Sequence, residues 1–143
     1  VINLQGDLPF CEPSILRSVA DALHNNSASD IVTPVCKINA KAEVENPNVV
    51  KVAISDRDDA IYFSRSPIPH GAETFYKHVG VYGFKADALK RFVKLPQSPL
   101  EITESLEQLR ALEAGMGISC VYTDAFPQSV DIAEDLEKVR KLA

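Results

Sequence analysis

Hydrophobic positions along the chain alternate between strand-like and helix-like periods. Val1-Ile2-Asn3-Leu4 is strand-like from the first residue, and Gln5-Gly6-Asp7-Leu8-Pro9 follows as a loop. Ile15, Leu16, Val19 and Leu23 then fall on one face of a helix with Pro13 in its first turn, and Asn25-Asn26-Ser27 predicts where it stops. The β-branched run Ile31 to Cys36 predicts a strand, in which Pro34, having no N–H, predicts an edge or an irregularity. Residues 49–54 and 60–65 flank the polar turn Ser55-Asp56-Arg57-Asp58-Asp59 and predict a hairpin. Pro67, Pro69 and Gly71 make residues 66–74 a loop, before a strand over Lys77 to Phe84 and a short helix over Asp87 to Val93.

Ser98-Pro99-Leu100-Glu101 is a capping box, with Ser98 as N-cap, Pro99 at the first helical position and Glu101 reaching back to the cap amide. Ile102, Leu106, Leu109, Leu112 and Met116 predict one helix from there, ended by Gly115 and Gly117. Ile118 to Tyr122 predicts a last strand and Ala133 to Leu142 a last helix. Helices alternating with strands, plus one hairpin, predict an α/β sandwich with a mixed sheet, in a single domain over residues 1–143.

Composition narrows the class. The 143 residues are 45% hydrophobic and 24% charged, which argues for a folded core and against disorder. No apolar run approaches the ~20 residues of a membrane span, and no signal peptide opens the chain, so a soluble cytoplasmic protein is expected. The net charge of -5 disfavours non-specific nucleic-acid binding, which rests on Lys and Arg neutralising phosphates. Cys11, Cys36 and Cys120 show no metal spacing and are expected as reduced, mostly buried thiols. Asn25-Asn26-Ser27 matches a glycosylation sequon in a chain that otherwise does not look secreted.

Candidate chemistry lies at strand ends, because ligands of open α/β sheets bind beyond the carboxyl ends of the strands. Asp7 follows the first strand and Asp131 the last. Two carboxylates on separate loops suit Mg²⁺, which takes one or two of them together with substrate phosphates. Each has a structural alternative: Asp7 in an Asx-type turn, and Asp131 with Glu134 in a capping box. Glu104, Glu107 and Gln108 share a helix face that reads as solvated, with Glu107 pairing Arg110. Arg65, at a strand end, suits a carboxylate ligand, and His78 in an apolar strand is either a ligand contact or a hydrogen-bonded structural residue. No G-x-x-x-x-G-K-[ST], G-x-G-x-x-G or G-x-S-x-G motif is present.

Several blocks, taken in order, resemble one family. V-I-N-L-Q-G-D-L-P, N-P-N-V-V-K-V, I-Y-F-S-R-S-P-I-P, H-V-G-V-Y-G-F, S-P-L-E-I-T-E-S-L-E-Q-L-R and S-V-D-I-A-E-D-L-E-K-V-R are similar to the 3-deoxy-manno-octulosonate cytidylyltransferases, or CMP-Kdo synthetases. The S-P-L-E block separates this family from the sialic acid cytidylyltransferases. The resemblance implies a fold of the nucleotide-diphospho-sugar transferase type, a homodimer, and conversion of CTP and Kdo to CMP-Kdo and pyrophosphate for lipopolysaccharide. It implies Mg²⁺ held by the catalytic Asp7 and Asp131. It also implies a sugar-acid site drawn from Gln5, Arg65, His78, Tyr82, Glu107 and Gln108.

The family pattern is not matched throughout. Leu8 stands where the family has glutamate, and Ser129, Ile132 and Ala133 stand where it has glycine, threonine and proline, so Asp131 is free to cap a helix instead. The family's R-x-x-S-x-R-L-P-G-K-P-L triphosphate motif does not occur here. A chain that opens in mid-strand without it is expected to be the C-terminal, sugar-binding, metal-binding and dimerising part, inactive by itself. The alternatives are a non-catalytic sugar-acid-binding or dimerisation module, and a cytidylyltransferase for sialic acid or another nonulosonate.

Overall fold

A computed structural model describes residues 1–6, 8, 11–26 and 28–124. In chain order these form β1 (Ile2–Leu4), α1 (Pro13–Asn25), β2 (Ile31–Lys37), α2 (Lys41–Glu45), β3 (Lys51–Ile54), β4 (Ala60–Ser64), β5 (Tyr76–His78), β6 (Val81–Phe84), α3 (Ala86–Phe92), α4 (Pro99–Glu104), α5 (Gln108–Glu113) and β7 (Ile118–Tyr122). The strands make one sheet in the order β1-β6-β2-β5-β3-β4, with β7 also on β2. The β2–β7 pair is parallel and the other pairs are antiparallel, which is the mixed sheet expected.

Side chains of β2 alternate between two cores, as the period of a strand requires. Val32 and Cys36 pack with Ile15 and Val19 of α1 and with Val79 and Val81. Ile31 and Val35 pack in the other cluster with Phe63, Tyr82, Phe84, Ile118, Ala88 of α3 and Leu109 of α5. Helices thus cover both faces of the sheet. The approach of α1 to β6 is close: a Cβ on Gly83 would lie 2.7 Å from Val19 Cγ1.

Pro34 marks an irregularity in the interior of the sheet, not an edge. Its strand has β7 on one side and β5 and β6 on the other. Opposite Pro34 the expected single strand over 77–84 divides into β5 and β6. Pro34 accepts a bond from the Val79 amide at 3.0 Å but has no N–H to return one. The neighbouring Thr33 hydroxyl supplies a donor instead, to the Val81 carbonyl at 2.8 Å.

The helix expected from Ser98 to Met116 is also divided. Its capping box forms as predicted, with the Ser98 side chain bonded to the Glu101 amide and the Glu101 carboxylate to the Ser98 amide. Ser105 then turns left-handed, at φ 55° and ψ 49°, and separates α4 from α5. The apolar stripe survives because Leu106 and Leu109 remain buried on either side of the restart. Gly115, at φ 72°, ends α5 as its position predicts.

α2 was not among the expected elements: five residues with only Val44 buried show no period to read. The run Asp56 to Asp59 is exposed as expected but not merely solvated. Asp58 accepts the Tyr122 hydroxyl at 2.8 Å and Asp59 the Ser119 hydroxyl at 2.8 Å, tying the hairpin turn to β7. The cysteines are free thiols, with Cys36 and Cys120 buried. Among the described residues no helix is long and apolar enough to cross a membrane. The helix expected over 133–142 lies outside the described residues.

Candidate functional site

Among the six expected sugar-acid residues, the structure pairs Gln5 with Glu107 and His78 with Tyr82. Gln5, just past β1, donates from Nε2 to Glu107 Oε1 at 3.1 Å. Its amide reaches the Gly80 carbonyl at 3.4 Å, and a Cβ on Gly80 would collide with Gln5 Oε1. Glycine at the β5–β6 break is therefore what leaves room for the Gln5 side chain. Two residues to either side of Gly80 stand His78 and Tyr82, their rings 5.1 Å apart. Arg65 is bonded directly to neither pair among the described residues; its Nη2 donates to the Ser105 carbonyl at 3.4 Å, two residues before Glu107.

The helix face holding Glu104, Glu107 and Gln108 is not the solvated face its polarity predicts. Only Glu107 is exposed. Gln108 is buried at 3% exposure, and its Nε2 has no hydrogen-bond partner among the described residues. A buried donor in that condition costs about 1–3 kcal/mol, so a partner at this position recovers free energy. Glu104 accepts from the Ser64 hydroxyl at 2.7 Å, the Tyr62 hydroxyl at 3.3 Å and the Arg65 amide at 2.9 Å. Burial alone would raise its pKa, but those donors outweigh it and hold the carboxyl below its usual range.

The expected Glu107–Arg110 pairing is replaced by another. Arg110 binds Glu101 through Nε at 2.8 Å and Nη2 at 2.5 Å and stacks on Phe92. The capping carboxylate offers it a fixed, buried two-oxygen partner, whereas Glu107 is turned toward Gln5.

His78 is half-buried between Phe63 and Tyr82, and desolvation lowers its pKa to about 4. It is therefore neutral near pH 7 and carries one ring proton. Its Nε2 lies 2.9 Å from Thr33 Oγ1. The single Thr33 hydroxyl proton goes to the Val81 carbonyl, so Thr33 accepts from His78 Nε2–H. This leaves Nδ1 as the lone-pair nitrogen.

Arg65 is engaged with backbone. Its Nε donates to the Glu104 carbonyl at 2.9 Å, Nη1 to Pro47 at 3.0 Å and Nη2 to Ser105. Sequence reasoning did not single out Lys51, which is fully buried and donates from Nζ to the carbonyls of Asn46, Val49 and Arg65 at 2.9, 2.6 and 2.5 Å. Its place as the one charged residue inside the apolar run 49–54 was the available signal, since a strand of that kind is buried and lysine seldom is. Asp7 and Asp131 lie outside the described residues, and no group of three or more metal-ligating side chains gathers among the described ones.

The chain matches the family model described as cytidylyltransferase over residues 1–118. It is 50% identical over 141 residues to the 3-deoxy-manno-octulosonate cytidylyltransferase of Rickettsia prowazekii, covering 99% of this chain and 56% of that protein. Identity to the protein of the same name from Rickettsia bellii (strain OSU 85-389) is 54% over 142 residues, covering 99% and 57%. The chain thus spans little more than half the length of these relatives. A solved structure of CMP:2-keto-3-deoxy-manno-octonic acid synthetase complexed with CTP superposes with a TM-score of 0.91 at 41% identity, over 99% of this chain and 60% of that one.

Proposed function

The chain belongs to the cytidylyltransferase family, and from that membership we propose that it is the sugar-acid-binding part of a cytoplasmic, homodimeric 3-deoxy-manno-octulosonate cytidylyltransferase serving lipopolysaccharide synthesis. The reaction joins CTP and Kdo. The anomeric hydroxyl of the sugar gives up its proton to solvent and its oxygen forms a bond to the α-phosphorus, the bond from that phosphorus to the β-phosphate bridging oxygen breaks, and pyrophosphate leaves. The observation that carries the reading is the Gln5–Glu107 pair, followed in sequence by Gln108, whose buried amide has no partner among the described residues. A polyhydroxy acid brings the donors and acceptors that such a group of amides and carboxylate binds.

Each residue has a distinct part. Glu107 accepts from sugar hydroxyls, and Gln5 fixes its carboxylate. Gln108 gains an acceptor on the sugar for its amide. With its pKa near 4, His78 is too weak a base to take the anomeric proton, and Nδ1 instead accepts a hydrogen bond from a sugar hydroxyl. Tyr82 packs against the His78 ring and keeps it oriented. Arg65 stabilises the segment that carries Glu107 through the Glu104 and Ser105 carbonyls. Asp7 and Asp131 are the donor set that a hard divalent ion takes, and Mg²⁺ there would neutralise phosphate charge.

The test is pyrophosphate release from CTP by the intact protein carrying this sequence, with Mg²⁺ and a panel of sugar acids. Kdo-dependent release, with CMP-Kdo as the product, is expected. Release with a sialic acid but not with Kdo overturns the substrate assignment, and Kdo binding indifferent to CTP and Mg²⁺, without turnover, supports a binding module instead.

A further inference from the structure

Of the residues that hold the break between α4 and α5, Arg65 is also expected at the sugar acid, whereas Glu104 is not. A continuous helix through residues 99–113 is what the apolar stripe predicts, and it would advance Glu107 and Gln108 by 100° per residue from the end of α4. Instead Ser105 turns left-handed and α5 restarts at Gln108. A non-glycine residue in that conformation is strained and persists only where its surroundings hold it.

What holds it comes from the β3–β4 hairpin. Glu104, the last residue of α4, places both carboxylate oxygens on β4 and the residue after it, through Tyr62, Ser64 and the Arg65 amide. Arg65 answers with bonds to the carbonyls of Glu104 and Ser105, on both sides of the junction. Lys51 fastens the Arg65 carbonyl to the loop before β3, through Asn46 and Val49. The junction is thus gripped through a side chain and two carbonyls, all within three residues of Glu107.

We propose that Glu104 is a positioning residue for the sugar-acid site: by fixing the α4–α5 junction to β4, it sets where Glu107 meets Gln5 and where Gln108 presents its amide. The inference rests on the assignment of Glu107 and Gln108 to the sugar acid. Glu104 itself does not touch the substrate.

In the intact enzyme, Glu104→Gln removes one of the two acceptor oxygens and is expected to raise KM for Kdo roughly tenfold, while kcat and KM for CTP change less than about twofold. Tyr62→Phe and Ser64→Ala each remove one donor and serve if E104Q does not fold. Each is expected to raise KM for Kdo roughly two- to threefold. A merely structural role would lower the melting temperature with KM for Kdo unchanged, and that result in the folded variants overturns the proposal. Amide hydrogen exchange over residues 105–109, followed without substrate, reads the same device separately. Faster exchange in the variants supports it and unchanged exchange overturns it. If the wild-type enzyme does not use Kdo, the substrate assignment fails while the exchange result still decides the positioning.

Discussion

Gln5 and Glu107, 102 residues apart in the sequence, meet through a 3.1 Å hydrogen bond, in space that glycine at position 80 leaves open to the Gln5 side chain. A methyl group at position 80 would displace the end of the Gln5 side chain, which is flexible enough to swing away without disturbing the backbone. Gly80→Ala is therefore expected to break the Gln5–Glu107 bond and to weaken Kdo binding several-fold, on the order of 3- to 10-fold, with little change in melting temperature. Titration calorimetry with Kdo checks it, and Gln5→Ala should show the same loss.

Neutral His78 sets a pH signature. Its folded pKa of about 4 lies below the usual value of 6.5, so between these values the unfolded chain binds the extra proton. Stability therefore falls as pH drops from about 6.5 towards 4, and the His78 contribution is constant above that window. Chemical denaturation from pH 4 to pH 8 reads this trend, and His78→Asn should flatten it. Nitrogen NMR of the ring at pH 7 should show the proton on Nε2. Thr33→Val deprives both His78 and the Val81 carbonyl of a partner, and a loss of about 1–3 kcal/mol in unfolding free energy is expected.

The parts of this fold legible in the sequence are those set by local chemistry. The Ser98 capping box, Pro13 at a helix start, Gly115 at a helix end and the β-branched run of β2 all depend on residues close in sequence, so pattern alone reveals them. The divisions at Ser105 and at Val79-Gly80 were hidden for the opposite reason. The first is imposed on Glu104 by β4, about 40 positions earlier, and the second lies opposite Pro34 on another strand. Polar identity likewise misled at Gln108, whose side chain is buried after the break. The expected site residues Arg65, His78, Tyr82, Glu107 and Gln108 were legible as a set only through the family motifs, since contacts such as Gln5–Glu107 and His78–Tyr82 arise only in the tertiary fold.

Glu101 and Arg110 bind the two short helices together. Both oxygens of Glu101 meet Arg110, one of them also accepting from the Ser98 amide, and the carboxylate is 6% exposed. Removing one partner strands a buried charge, so Glu101→Ala is expected to cost about 3–5 kcal/mol in unfolding free energy. The Arg110 hydrogen bonds lower the Glu101 pKa against the opposing effect of burial. The carboxylate's contribution is therefore present above the ordinary carboxyl pKa and is lost as pH falls through the depressed folded value. Denaturation at pH 7 and at pH 3 should show the wild-type advantage over E101A shrinking at the lower pH.

Arg65 separates two uses of one side chain. The family resemblance assigns it to the sugar acid, yet its three nitrogens donate to the carbonyls of Pro47, Glu104 and Ser105. A lysine keeps the charge but lacks the planar fork needed to reach three carbonyls at once. If the guanidinium serves chiefly to hold the α4–α5 junction, Arg65→Lys lowers the melting temperature and weakens Kdo binding to the same extent as binding of a Kdo analogue whose carboxylate is converted to an amide. If it also binds the sugar carboxylate, the variant loses affinity for Kdo but little for the amide, since only Kdo presents the charge. The hydrogen bonds favour the first pattern: roughly equal losses for the two ligands, on the order of tenfold each. Calorimetry with both ligands on wild type and R65K measures the difference, and a loss confined to Kdo would assign Arg65 to direct recognition.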